Sequence, residues 1–505
     1  MLGNILEVFK KKNRPEMDQL RGNKNAMQFD LLYQLSYMSV IASAGVPRKQ
    51  IFEYCSRLSC STSEYFERVE LMYQRLKYDY AKSCKMVGET TKEEEIRGLL
   101  LRFSNSLISG EPESEFLARE AEARSLEYEG QYTRKIETLK MWTDAYISLC
   151  LSAVLVVIVG IVSTMIWEIQ TMFILGLAVT SIVTEIVGIW LIYLISPRDT
   201  ITLPKPGSTE QKLAHRFFTI ALPAVIVVLA AMLFSGIEFG WALVVISAIL
   251  LPIGIISNKD DKMITKRDAE LGPLLGSLGG ICAAIGTTVT DALGRIDLDA
   301  IETLKIQIKA LHVRLISGIR SKLCWKKFVE ETGSELSNRS VGMFYDAIDL
   351  GGEPQAAGYH ASLFTSKIAN LRAKRKSVVA SFRWLCLVMH GAVVALLIFI
   401  TEVMGIFGTM LQGATDSIQN MSDLQSSTTV SSLTSFNFGG LELLKSMVIP
   451  LVIVFTICDA LAPSVAEGGS KLKFCFNFAF TSAITGFGMI ALPHMAASLF
   501  GVIKL

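Results

Sequence analysis

Two patterns of apolar and polar residues alternate along the chain. Long apolar stretches without charges are separated by segments in which apolar residues recur at helical spacing. The uncharged stretch between Asp144 and Glu168 is long enough, at about 1.5 Å per helical residue, to cross a hydrocarbon core about 30 Å thick. Seven such stretches, the sixth being the shortest, predict seven transmembrane helices. They begin near Ala145, Thr171, Phe217, Phe239, Trp384, Ser446 and Phe474.

The regions between the apolar stretches have the pattern of amphipathic helices. In one region an apolar stripe recurs at i, i+4, i+7, i+11 and i+15, and it consists of Leu304, Ile308, Leu311, Leu315 and Ile319. Near the amino terminus, "FDLLYQLSYMSVIASAG" ends at a Gly-x-Pro turn that can stop one helix and start another. Both regions therefore read as helical bundles rather than sheets.

These patterns predict an all-α polytopic membrane protein with two cytoplasmic helical-bundle domains. We expect five segments: a basic amino-terminal segment 1–25, a first bundle domain 26–144, transmembrane helices one to four in 145–258, a second bundle domain 259–383, and helices five to seven in 384–505.

A short repeat indicates that the protein is built twice. Gly-Glu-Pro occurs at 110–112 and again at 352–354, and each copy precedes an uncharged stretch by a similar distance. Four predicted spans separate the first span from the fifth, so both units would enter the membrane in the same direction. The sequence thus predicts a parallel repeat, in contrast to the inverted repeats common in secondary transporters.

Charge fixes the expected orientation. The chain is 51% apolar and only 19% charged, and Lys and Arg are absent from the segments that follow spans one, three and five. Because basic residues are retained on the cytoplasmic side of short loops, we expect a cytoplasmic amino terminus and an external carboxyl terminus in the cell membrane. The basic segment 1–25 precedes no apolar stretch of the signal-peptide kind, so the first span would direct insertion.

The predicted external loop 402–444 is rich in Ser and Thr. It contains Asn420-Met421-Ser422, a glycosylation sequon on the appropriate side of the membrane. The alternative is that so short a motif occurs by chance.

No known catalytic signature is present in the sequence, so we expect no enzymatic activity and no cofactor. The nine cysteines have no Cys-x-x-Cys spacing, and the five histidines are scattered, which supports neither a disulfide framework nor a metal site.

A group of basic residues accompanies the apolar stripe of the second bundle domain. Such a group can dock an acidic protein surface, and the alternatives are a solvated face or attraction to anionic lipid headgroups. Nucleic acid is not expected, because aromatic residues are not interleaved with the cations. The group comprises Lys305, Lys309, Arg320 and Lys327, widened by Lys322 and Lys326.

Three ionisable residues fall within the predicted spans: Glu185, Asp459 and His390, of which only Glu185 lies in the middle of its span. A charge in hydrocarbon is costly and therefore suggests a function, here a proton or ion relay. The structural alternative is a protonated carboxyl group that bonds a neighbouring helix.

The Gly-Glu turns carry a resemblance to a known family. Gly110-Glu111 and Gly352-Glu353 match the Gly-Glu that precedes the final helix of each cytoplasmic unit in the type II secretion F-domain platform proteins. The hairpin "LSYMSVIASAGVPRKQIFEY" is similar to the Leu-rich helix and Gly-x-Pro turn of that family. Within it, the chain resembles the archaeal form that serves the archaellum or type IV pili.

The resemblance implies a membrane platform on which a cytoplasmic hexameric motor ATPase acts, passing motion to pilin-like or archaellin subunits. It also implies a homodimer embedded in the lipid bilayer, with the chemistry performed by the ATPase. A different class stays open, namely a polytopic transporter or membrane sensor with two soluble helical domains.

Overall fold

The computed structural model describes residues 24–166, 171–204, 207–235, 238–419 and 439–501. It is 86% helical and has no strands within these ranges, which confirms the all-α prediction. Its only paired extended residues in the same ranges are Thr202 and Ser334, which form an isolated bridge. The segment 1–23 and Asn420 lie outside the described residues.

Sixteen α-helices are described. They are α1 (Lys24–Ser43), α2 (Arg48–Ser56), α3 (Ser63–Leu76), α4 (Tyr80–Thr90), α5 (Glu94–Ser109), α6 (Glu113–Ile166), α7 (Thr171–Ile195), α8 (Thr209–Ser235), α9 (Phe239–Ile285), α10 (Val289–Leu293), α11 (Lys305–Ile316), α12 (Ser321–Thr332), α13 (Glu335–Asp349), α14 (Pro354–Gln419), α15 (Gly439–Glu467) and α16 (Phe474–Gly501).

Seven of these helices are long and apolar enough to cross a membrane, as the sequence predicts. The apolar sixth span covers Ser446–Glu467. Helices α6, α9 and α14 are far longer than a bilayer requires, with 54, 47 and 66 residues. Each contains both an amphipathic part and an apolar part, so the chain passes from one environment to the other without breaking the helix.

The chain divides into two compact units. The bundle unit combines the described residues of 1–134, 197–208 and 263–373, and the membrane unit contains the remainder. Helices α6, α9 and α14 each contribute residues to both units.

In the bundle unit, helices from both halves of the sequence pack together. Arg339 of α13 pairs with Asp30 of α1 at 2.9 Å, and its guanidinium lies 4.8 Å from the ring centroid of Phe29. The Asp30 carboxylate also accepts hydrogen bonds from Ser61. Residues assigned to two separate domains from the sequence thus share one compact unit, and the division into two domains stays a prediction.

Left-handed backbone positions recur in the two halves. Positive φ occurs at three positions of the first half, namely Gly45, Lys77 and Gly110, and at three of the second half, namely Gly286, Gly318 and Gly351. Taken in this order, the two sets form three pairs, and the separation in sequence is the same in every pair. All six follow a helix, where a left-handed residue ends the hydrogen-bonded ladder. The recurrence supports an internal duplication, which stays a prediction.

The predicted apolar stripe of α11 is buried at Leu304, Ile308 and Leu311. Ile319 is instead exposed, because α11 ends at Ile316 and Gly318 turns the chain with φ near 73°. The helical spacing that placed Ile319 on the stripe does not continue through this turn.

The membrane unit has an apolar core formed by α6, α7, α14 and α15. Side chains such as Val154, Ile192, Val393 and Val452 are almost fully buried there.

Buried ion pairs lie beside this core: Asp261 pairs with Lys473 at 2.6 Å, and the same ammonium pairs with Glu467 at 3.1 Å. Pairing of this kind offsets the cost of removing charges from water.

Candidate functional site

The predicted basic face lies on a helix hairpin formed by α11 and α12. The N–H of Ser317 bonds the carbonyl of Val313 at 3.0 Å, and Ile319 reaches back to Arg314 at 3.3 Å, which closes the end of α11. Arg320 precedes α12 as its N-cap residue, with φ near −48° and ψ near 122°. The turn is short, so α11 and α12 pack side by side.

Two of the six predicted basic residues are engaged in local ion pairs. Lys305 lies 2.7 Å from Asp299, and this hydrogen bond raises the pKa of the ammonium group and lowers that of the carboxyl. Lys327 lies 3.3 Å from Glu330. Both pairs are solvent-exposed, where an ion pair contributes little to stability.

The other four cations form no ion pair with any residue that the structure describes. Lys309, Arg320, Lys322 and Lys326 are all exposed. Lys305 and Lys309 are one turn apart on α11, and Lys322 and Lys326 are one turn apart on α12. These four residues can therefore bind a partner without first breaking an ion pair.

The hairpin also exposes apolar side chains that the sequence analysis did not identify. Ile306, Val313 and Ile316 are 78%, 62% and 65% exposed, and they fall with Lys309 at i, i+3, i+7 and i+10 on the side of α11 opposite the buried stripe. Ile319 in the turn and Leu323 in α12 are exposed as well. The signal was present in the sequence as a second apolar series on the same helix.

We name the six basic and five apolar side chains of this hairpin the α11–α12 face. Single exposed apolar residues are normal, whereas several exposed apolar residues gathered on one hairpin are typical of a surface that another molecule covers. The face consists of Lys305, Ile306, Lys309, Val313, Ile316, Ile319, Arg320, Lys322, Leu323, Lys326 and Lys327.

The first Gly-Glu turn is a helix cap. Gly110 follows α5 with φ near 75°, a conformation that glycine adopts without steric cost. The N–H of Glu111 bonds the carbonyl of Ser106 at 3.2 Å. The Glu111 carboxylate pairs with Arg119 at 2.7 Å, and this hydrogen bond lowers the pKa of the exposed carboxyl group.

The second Gly-Glu turn has a different register. Here Gly351 takes the left-handed position, and Gly352 donates to Ala347 at 2.9 Å, as Glu111 does in the first turn. Matching Gly110 to Gly352 by sequence therefore misses one inserted residue. Gly352 lies against the end of α1, where a Cβ would come 2.5 Å from Ala44, and the N–H of Glu353 bonds the Ala44 carbonyl at 3.1 Å.

The three ionisable residues of the predicted spans meet in the membrane unit. Tyr146 of α6 donates to Glu185 of α7 at 2.6 Å and contacts Asp459 of α15 at 3.1 Å. The other Asp459 oxygen lies 2.8 Å from Nδ1 of His390 on α14. All four side chains are buried. Sequence reasoning identified the three ionisable groups separately, but neither their contact nor Tyr146.

A thiol joins this cluster. Cys150 Sγ, one oxygen of Glu185 and one oxygen of Asp459 lie within 4.8 Å of one another, so they are candidates to hold a metal ion. All nine cysteines are free and buried.

The chain is similar to two proteins named Flagella accessory protein J. The one from Methanocaldococcus jannaschii is 22% identical over 480 residues, which cover 91% of this chain and 83% of the relative. The one from Methanococcus voltae is 23% identical over 424 residues, which cover 81% and 74%. No family model matches the chain, and no solved structure matches it.

Proposed function

We propose that the chain is the integral-membrane platform of an archaeal filament machine, either the archaellum or a type IV pilus. The similarity to Flagella accessory protein J over 91% of the chain carries this proposal. The seven apolar helices agree with it, because an assembly platform must be anchored in the bilayer. In this role the protein is not an enzyme.

The α11–α12 face is the proposed docking surface for a cytoplasmic hexameric motor ATPase. Four of its cations form no ion pair with the described residues, and its exposed isoleucines and valine offer an apolar centre. Complementary charge speeds encounter and selects the partner, while apolar contacts at the centre supply most of the affinity. The chemistry of the complementary ATPase surface is therefore an acidic rim around apolar residues.

Continuous helices give the platform a route for motion. Helices α6 and α14 contain residues of both the bundle unit and the membrane unit without a break. A hydrogen-bonded helix resists stretching and bending, so a displacement applied at one end is transmitted along its axis. We propose that pilin-like or archaellin subunits are moved in this way during assembly.

The remaining features of the proposal follow from charge and from family resemblance. The bundle unit is cytoplasmic, the carboxyl terminus is external, and the platform is a homodimer. Asn420 is then on the external side, where its sequon is accessible for glycosylation.

Co-purification tests this function. The tagged full-length chain, extracted from its own cells, should bring with it a hexameric ATPase and filament subunits, and a strain lacking the gene should lose one appendage. Which appendage disappears identifies the archaellum or the pilus. If the deletion strain still assembles normal filaments, and the protein transports a substrate in a way that depends on Glu185, the protein is instead a transporter.

A further inference from the structure

The buried polar cluster of the membrane unit is not used by the proposed docking. It joins five helices through hydrogen bonds: Tyr146 on α6, Glu185 on α7, His390 on α14, Asp459 on α15 and Thr485 on α16. The thiols that face it are Cys150, Cys386 and Cys458, and no Lys or Arg among the described residues contacts it. The two acids therefore lack a permanent cation.

The hydroxyl groups around His390 determine where one hydrogen lies. Thr456 donates to the Val452 carbonyl at 2.7 Å, so it accepts from Thr485, which lies 2.7 Å away. Thr485 has then used its only hydrogen and must accept from His390 Nε2 at 2.9 Å. The second neighbour of Nε2, the Thr481 carbonyl at 3.2 Å, can only accept. In this assignment Nε2 carries a hydrogen.

A further hydrogen must lie between His390 and Asp459. With Nε2 protonated, Nδ1 of a neutral ring has a lone pair, and an ionised Asp459 oxygen has lone pairs too. The 2.8 Å contact between these atoms is attractive only with a hydrogen between them. That hydrogen belongs either to an imidazolium ring or to a carboxylic acid, and both descriptions add one proton to the cluster.

Charge neutrality requires a second proton. Ionised Glu185 and Asp459 with neutral His390 carry two negative charges, and the proton beside Nδ1 removes one of them. An isolated charge that is buried away from water is costly, and these three side chains are at most 2% exposed. Tyr146 has a single hydrogen for two carboxylates, so it cannot neutralise the site.

We propose that Glu185, Asp459 and His390, connected by Tyr146, form a proton-binding site that holds two exchangeable protons at neutral pH. Release of one proton leaves an unpaired negative charge between α6, α7, α14 and α15. Because Tyr146 lies on α6 and His390 lies on α14, proton occupancy and the packing of these two helices within the membrane unit are linked. This inference does not depend on the proposed platform function.

A divalent cation is the competing ligand. Cys150, Glu185 and Asp459 offer one sulfur and two oxygens, a donor set that a transition metal can accept. Metal binding would require the carboxylates and the thiol to be deprotonated. The two ligands therefore make opposite demands on the same carboxyl groups.

Infrared spectroscopy of the purified full-length chain in detergent at neutral pH distinguishes bound protons from a bound divalent metal ion. The wild type should show the C=O stretch of a protonated carboxylic acid, shifted in D2O. The double variant Glu185→Gln with Asp459→Asn, which keeps side-chain volume and hydrogen bonding, should lose that band. Asp144→Asn, which removes an exposed carboxylate of the same helix as Tyr146, should keep it.

The spectroscopic result can overturn the inference in two ways. A wild type without a protonated-carboxyl band, or a band that the double variant retains, shows that these acids hold no proton. One equivalent of bound divalent metal that is lost in Cys150→Ala identifies a metal site instead.

If the double variant does not fold, the test uses the single variants Glu185→Gln and Asp459→Asn together with Tyr146→Phe. Glu185→Gln should weaken or remove the band, Asp459→Asn should keep at least the contribution of Glu185, and Tyr146→Phe should move the frequency of the band while preserving it. None of these measurements involves filaments or an ATPase.

Discussion

Tyr37 of α1 donates a 2.8 Å hydrogen bond to the carboxylate of Asp346 of α13, a residue 309 positions further along the chain. The bond joins the two halves of the bundle unit, whose sequences show no sign of the contact. Burial raises the pKa of the Asp346 carboxyl, and the hydrogen bond from Tyr37 opposes that rise.

Removing this donor should destabilise the bundle unit. Tyr37→Phe leaves the buried carboxylate without its partner, and hydrogen bonds to charged groups contribute about 2 kcal/mol. The thermal midpoint of unfolding should fall accordingly. Asp346→Asn, which still accepts the tyrosine hydrogen bond and removes the buried charge, should lower the thermal midpoint less than Tyr37→Phe does. A midpoint equal to that of the wild type in Tyr37→Phe would contradict the structural role of this bond.

The Asp346 carboxyl also predicts a pH dependence. Because its folded-state pKa is raised, the folded protein binds the proton more tightly than the unfolded chain. The contribution of Asp346 to the free energy of unfolding should therefore fall as the pH rises from the ordinary pKa of an aspartate, about 3.9, through the raised pKa of Asp346 in the folded protein. The difference between wild type and Asp346→Asn should show this fall in pH-dependent thermal unfolding. Glu302→Gln, at an exposed carboxylate, should show no comparable difference.

Charge reversal of the α11–α12 face should weaken ATPase binding by about 100-fold or more, because like charges at an interface cost several kcal/mol. Reversing Lys305, Lys309, Arg320 and Lys327 to Glu tests the face as the sequence defines it. A sharper variant reverses the four cations that form no ion pair with the described residues, Lys309, Arg320, Lys322 and Lys326. Membrane insertion should be normal, and co-purification of the ATPase should be lost.

The matched control reverses exposed cations of the first half of the bundle unit. If this control loses the ATPase while the α11–α12 variant retains it, the docking surface lies on the first half. The control positions are Lys49, Lys85, Lys92 and Arg97.

The exposed apolar residues of the same face should matter for binding and not for stability. Replacing Ile306, Val313 and Ile316 together by Ser should change the thermal midpoint little, since exposed substitutions have small effects, yet should weaken ATPase binding. Ile308→Ala on the buried side of α11 should instead cost about 2–5 kcal/mol of stability. Equal binding in the triple Ser variant and the wild type would exclude an apolar contact.

Two adjacent glycines of α9 predict opposite effects of one methyl group. A Cβ on Gly279 would come 2.3 Å from the Pro354 carbonyl and 3.0 Å from Gly358, so Gly279→Ala should destabilise the packing of α9 against α14. A Cβ on Gly280 meets no atom within 4 Å, and Gly280→Ala should stabilise the helix by about 1 kcal/mol. Thermal unfolding of both variants measures the contrast, and the same sign for both would refute it.

Thiol labelling of intact cells tests the predicted orientation. A cysteine at Ser427, in the loop expected to be external, should react with an impermeant reagent. A cysteine at Asn338, which is exposed on α13 of the bundle unit, should react only after the membrane is permeabilised. The native cysteines are buried, which keeps the background low. Labelling of the cysteine at Asn338 on intact cells would show that the orientation is the reverse of the predicted one.

The sequence by itself determined the local features of this protein. An apolar stretch such as Phe217–Phe234 predicts a membrane helix because its transfer free energy depends on its own composition, wherever its neighbours lie. The buried side of α11 was predicted correctly at Leu304, Ile308 and Leu311 for the same reason, since helical periodicity is local. The prediction was wrong at Ile319, where a turn ends the helix and with it the periodicity.

Only the tertiary structure decided which distant residues meet. Tyr146 and Asp459 are 313 positions apart, and their contact depends on how the five helices pack, to which the composition of each helix gives no clue. Helix packing depends on the shapes of complete surfaces, so a single sequence shows that Glu185 is an anomaly without showing its partners. The union of both sequence halves in one bundle unit, through pairs such as Asp30 and Arg339, was decided in the same way.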